Sequence, residues 1–179
     1  MPAAPAPRSV EWNFDDTVGV SKSPFSRQTQ TFDWGASGLR GSVAMPVMDR
    51  TTGPAWVAFL ANARKSKIFL FGDPLNRGPQ NAGATGGAVS GSGQTGYTLN
   101  TSSSGLLPGD WIQLGERLYQ VTDVAGGVLG IWPQIRESPA GGTTVVIANT
   151  QGFFRMTSKS VHMDERKIYT VTFEVEEAI

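Results

Sequence analysis

Tyr169-Thr170-Val171-Thr172-Phe173-Glu174-Val175-Glu176, near the chain's end, sets Tyr169, Val171, Phe173 and Val175 against Thr170, Thr172 and Glu174. Period two of this kind marks a strand with one buried face, and the predicted strand runs from Lys167 to Glu176. Such a strand needs an apolar core to lie on, and the segments that offer one stand at the other end of the chain. Val10, Trp12 and Phe14 alternate in the same way. Gln28 to Trp34 is strand-like, with Phe32 and Trp34 on one side. Leu39, Gly41, Val43 and Met45 follow at period two until Pro46, which has no N–H to give a ladder. Lys67 to Phe71, stopped by Gly72-Asp73-Pro74, and Phe153 to Met156 are further short strands.

One helix is predicted, from Pro54 to Arg64. Thr51-Thr52-Gly53-Pro54 supplies a threonine at the N-cap and a proline in the first turn. Trp56, Val57, Phe59, Leu60 and Ala63 then form an apolar stripe at spacings of three and four. The run Arg64-Lys65-Ser66-Lys67 reads as the solvated end of this helix, where cations suit the dipole.

Between these segments the composition changes. Leu75 to Thr95 is rich in Gly, Ala, Ser and Asn and reads as a long loop. Tyr97–Leu99, Asp110–Leu114, Leu118–Val124, Val128–Trp132 and Thr144–Ala148 read as short strands, separated by Pro108-Gly109-Asp110, Gly115-Glu116, Gly126-Gly127 and Gly141-Gly142. Short strands at this spacing predict a small antiparallel β-barrel, OB-like in size. The expected fold is therefore mainly β. A discontinuous, sandwich-like domain with one short helix takes residues 9–72 and 152–179, the loop and barrel are inserted at 73–151, and 1–8 form a flexible arm.

Composition narrows the chemistry. The 179 residues carry 15 Lys or Arg and 15 Asp or Glu, so the formal net charge is zero and no dense basic run exists to hold nucleic acid. Without cysteine, disulfides and thiolate metal sites are excluded. No apolar run reaches the about 20 residues that a membrane-spanning helix needs, so no membrane insertion is expected. The opening Met1-Pro2-Ala3-Ala4-Pro5-Ala6-Pro7-Arg8 lacks the apolar centre of a signal peptide, which predicts a product that stays in the cytosol or is packaged there.

A search for catalytic groups yields little. His162 is the only histidine, so a charge-relay triad or a multi-histidine metal site has nothing else to draw on. It is expected in a surface turn before the last strand, although His162 and Asp164 would share one side if they lay on a strand. The aspartates stand singly beside turn-forming residues, where their side chains cap turns; a glycosidase pair among them has no marker. Gly91-Ser92-Gly93-Gln94-Thr95-Gly96 lacks the Gly-Lys-Ser/Thr ending of a phosphate cradle. No catalytic, metal or cofactor site is expected. The remaining candidates are Trp111, Tyr119 and Trp132, which would form either a stacking platform, for a sugar such as a host-surface polysaccharide or for single-stranded nucleic acid, or part of the barrel's packing. Trp111 is the best candidate for the platform, because Ile112 and Leu114 already take the inward face of its strand.

The order of several stretches resembles the distal tail proteins and related minor tail proteins of long-tailed bacteriophages and prophages. Trp12-Asn13-Phe14 is followed by Ser23-Pro24-Phe25-Ser26, Gln28-Thr29-Gln30-Thr31-Phe32 and Trp34. Then come Met45-Pro46, Met48-Asp49-Arg50, the helix with Trp56 and Phe59-Leu60, and Lys67-Ile68-Phe69-Leu70-Phe71-Gly72-Asp73-Pro74. The stretch from Tyr169 to Ile179 matches these proteins' closing strand. Within the insertion, Leu107-Pro108-Gly109-Asp110-Trp111-Ile112-Gln113-Leu114-Gly115, Leu118-Tyr119-Gln120-Val121 and Trp132-Pro133-Gln134-Ile135-Arg136-Glu137-Ser138-Pro139 are similar to one branch of prophage tail proteins. The outer domain is compact, like the minor tail proteins, whereas the larger distal tail proteins carry a bigger C-terminal half. The resemblance implies a non-enzymatic virion protein, assembled in the host cytoplasm as a homo-oligomeric ring, usually hexameric. That ring would join the tail tube protein to the tail-tip hub protein, with the barrels projecting outwards.

Overall fold

The structure, a computed structural model, describes residues 2, 5–16, 18–33, 35–63, 67–166 and 168–179. Trp34, Arg64 to Ser66 and Lys167, where a strand face, a helix end and a strand start were expected, lie outside the described residues. The strands are β1 (Ser9–Asp15), β2 (Val18–Lys22), β3 (Thr29–Asp33), β4 (Gly38–Ala44), β5 (Ile68–Phe71), β6 (Thr98–Asn100), β7 (Trp111–Leu114), β8 (Arg117–Ala125), β9 (Val128–Trp132), β10 (Val145–Val146), β11 (Gly152–Met163) and β12 (Tyr169–Glu177), with helix α1 (Gly53–Asn62) between β4 and β5. The molecule is mainly β, and its strand pairs are antiparallel.

β12 pairs with β4 on one side and β11 on the other, in a sheet of order β1-β4-β12-β11-β5. The alternation at the chain's end decides this register. Phe173 faces Val43 and Val175 faces Gly41, so Val171, Phe173 and Val175 join Leu39, Val43, Phe71, Phe154 and Met156 in one buried layer. Trp12 of edge strand β1 lies 5.8 Å from Phe71 of edge strand β5, so the sheet is strongly curled. Gly41 is small for a reason: a Cβ there would stand 3.1 Å from Val175 and 3.3 Å from Trp12.

Helix α1 covers one end of this layer, with Trp56 stacked on Phe173 and Phe59 edge-on to Phe69. Thr52 is its N-cap, but the threonine side chain makes no cap bond. Asp49 does the work instead: its Oδ1 accepts from the N–H groups of Thr51 and Thr52 and from the Thr52 hydroxyl. Lys159 from β11 donates to the carbonyls of Leu60 and Ala63, placing a cation on the helix C-terminus. The layer facing the sheet is this helix together with Trp111 and Leu118 from β7 and β8.

The second sheet runs β10-β7-β8-β9-β6. Its two edges meet through residues 87–90, which were expected to belong to a loop. Ser90 and Ala88 exchange backbone bonds with Asn100 and Ser102 on one side, while Val89 and Gly87 bond Thr143, Gly142 and Val145 on the other. The staves therefore close around Val89, Leu99, Ile112, Leu114, Tyr119, Val121, Leu129, Ile131 and Val145. Small residues are required at the closure. A Cβ on Gly87 would meet the Ser103 nitrogen at 2.4 Å.

Near the chain's start Pro2, Pro5, Ala6 and Pro7 line a groove of about 490 Å³ with Trp56 and Phe69 to Pro74. One further expectation is corrected. β11 runs on to Met163, so His162 sits on a strand opposite Thr170, and the turn begins at Asp164. Its distal half lacks apolar alternation because it projects past the core. β2, which the sequence reading leaves unassigned, pairs with β3 in a separate hairpin.

Candidate functional site

The three aromatic candidates do not form a platform. Trp111 points away from the barrel core, as the inward claims of Ile112 and Leu114 require, and that side is the seam with the first sheet. There it lies 5.4 Å from Trp12 and stacks on Phe14, leaving 6% of its surface exposed. Trp132 meets Phe14 edge-on at 4.9 Å and donates its indole N–H to Asp16 at 3.0 Å. Tyr119 is buried in the barrel core, and its hydroxyl accepts the Arg136 N–H at 3.2 Å. A sugar ring needs an open aromatic face, and Trp111 and Tyr119 have none to give.

What these side chains build is a clamp. Segment 132–136 leaves β9 and runs under the roots of the β2–β3 hairpin. Trp132 holds Asp16 on the entering side. Gln134 donates to the Gly35 carbonyl on the returning side, and Arg136 donates to the carbonyls of Gly35 and Ser37. Arg136 also forms a two-point pair with Glu177 at the end of β12, with Nη2 to Oε2 at 3.1 Å and Nε to Oε1 at 3.5 Å. Both side chains are almost fully buried, at 7% and 4% exposure. A buried pair of this kind tolerates the loss of neither partner alone, since a charge would be left unpaired. Arg117 adds a second tie, donating to the Ala178 carbonyl and pairing with Glu137 at 3.2 Å.

Electrostatics at the seam follow from burial. Burial pushes the Tyr119 phenol above its usual value of 10, opposed by the Arg136 N–H bond. At the helix start the bonds from Thr52 and Thr51 hold Asp49 below the ordinary carboxylate range.

Three other aspartates serve as local caps and ties. Asp73 accepts from the Leu75 and Asn76 N–H groups, and Asp164 from that of Ile168. Asp110, fully buried, accepts from Gln80 and Leu107 and so ties the 80s loop to the barrel. Among the described residues no three of His, Asp and Glu stand together as a metal cradle, and no helix is long and apolar enough to cross a membrane.

The hairpin itself is the other notable surface. Nearly every residue from Val18 to Phe32 is exposed, including Val18, Val20, Phe25 at the tip and Phe32. The alternation around Phe32 was readable in the sequence, but its lack of cover was not. Compared with known proteins, the chain matches no family model and no curated protein.

Proposed function

We propose that this chain is a non-enzymatic assembly subunit of a bacteriophage tail tip, forming a ring between the tail tube and the hub. The observation that carries the assembly part is the hairpin. It exposes apolar side chains on both faces, while its roots are held by a buried clamp of Trp132, Gln134 and Arg136. A two-stranded hairpin alone is marginally stable in water, so cover from a partner would stabilise it. The tail-tip part rests on the ordered stretches from Trp12 to Ile179 that resemble distal and minor tail proteins. Heterologous contacts that close on themselves give rings, and a chain of zero formal charge sets little long-range repulsion between copies.

Images of purified protein and of phage particles test this reading. Closed rings in the first and the chain at the tail tip in the second are the expected results. A chain missing from particles, with no rings at any concentration, would remove the proposal.

A further inference from the structure

The curled sheet has an outward face that stands largely open among the described residues, and its chemistry is the counterpart of the hairpin's. In register across three strands stand Glu11, Ser42 and Glu174. The next row holds Asn13, Arg40 and Glu176, with Arg155 beyond. Arg40 pairs with Asp15 at 2.8 Å and reaches Glu176, which also pairs with Arg155. Glu11 and Glu174, both exposed, have no cation within ion-pair distance among the described residues. Four carboxylates (Glu11, Asp15, Glu174, Glu176) thus face two guanidiniums (Arg40, Arg155), leaving two negative charges over. At one side of this face the side chains turn apolar: Ile68 and Leu70 of edge strand β5 are exposed beside Phe153.

The hairpin carries the opposite surplus. From Val18 to Asp33 it has two cations, Lys22 and Arg27, and one acidic residue, Asp33 at its root; Lys22 and Arg27 are exposed with no ion pair among the described residues. Val18 and Val20 share a face with Lys22, and Phe25 stands 97% exposed at the tip. Edge β1 carries Glu11, a charge of the sort that discourages strand pairing, whereas β5 reads Ile-Phe-Leu-Phe with no charge, proline or bulge.

We infer that the hairpin of one copy docks on the outward sheet face of a second copy. Lys22 and Arg27 then meet Glu11 and Glu174, and the hairpin's apolar side chains meet Ile68, Leu70 and Phe153. Hairpin and face are different surfaces, so each copy gives one and receives the other. This rests on the ring-subunit reading and names its contact.

Charge reversal tests it in the full chain. The Lys22→Glu/Arg27→Glu variant and the Glu11→Lys/Glu174→Lys variant change only exposed side chains, so both should keep the unfolding midpoint of the parent chain. Each alone should sediment as a 19.1 kDa monomer. Mixed in equal amounts they should reassemble, since reversed hairpins now meet reversed faces and unaltered hairpins meet unaltered faces. Raising the salt should weaken the parent assembly. Assemblies that persist in both variants, or variants that stay monomeric when mixed, overturn the docking and leave the ring reading standing. A parent chain that is itself monomeric overturns both.

Discussion

Along the seam, Trp111, Tyr119, Arg136 and Glu177 are almost wholly withdrawn from water; in the hairpin that springs from it, Val20 and Phe32 keep 67% and 54% of their surface exposed. The two regions touch through Asp16, Gly35 and Ser37, so one rigid feature anchors one uncovered feature. The difference teaches where each residue's role lies. Side chains of the seam hold the sheet and barrel in one arrangement, and replacing them should cost stability. The apolar side chains of the hairpin are exposed, and replacing them should cost association instead, on the proposed reading.

The largest effect is expected at Arg136. Arg136→Ala leaves Glu177 buried and unpaired, and should destabilise the fold by about 3–5 kcal/mol in urea unfolding. An Arg136→Met/Glu177→Leu double variant should recover most of that loss, because no charge is then stranded. If the single variant unfolds like the parent, the seam is not the anchor described here. Trp111→Ala should cost a similar or slightly smaller amount, about 3 kcal/mol or more, by emptying the space between Trp12 and Phe14. An unchanged midpoint would return Trp111 to the surface role first weighed for it.

Tyr119 gives a pH handle on the same region. Its phenol is raised above 10 in the folded state, so its contribution is intact below pH 10 and is lost as pH rises beyond it. Ultraviolet titration should show Tyr119 ionising above pH 10, and a Tyr119→Phe variant should lose that late step. The smallest effect belongs to the hairpin: Val20→Ser should leave the unfolding free energy within about 0.5 kcal/mol of the parent. A large loss there would mean that the hairpin packs inside the chain after all.

Much of this was legible in the sequence. The buried face of β12 followed from the spacing of Val171, Phe173 and Val175, and the helix from the stripe that begins at Trp56. Trp111 was the instructive case. Alternation placed it opposite Ile112 and Leu114, but alternation says only which face a side chain takes. Whether that face meets water or another unit depends on Trp12 and Phe14, about a hundred residues away in the chain. Residues 87–90 were unreadable for a different reason. They close the barrel through backbone bonds and close approach, which call for small side chains and leave no apolar period. The reach of β11 to His162 was hidden likewise, since a strand outside the core has no buried face to mark it. Arg136 and Glu177 gave no local sign, because their pairing joins positions 41 residues apart.

Self-association through the hairpin is decided by sedimentation of the purified chain over a range of concentrations. A discrete species whose mass is a whole multiple of 19.1 kDa is expected, giving way to monomer when the hairpin charges are reversed. A single monomeric boundary at every concentration would contradict it.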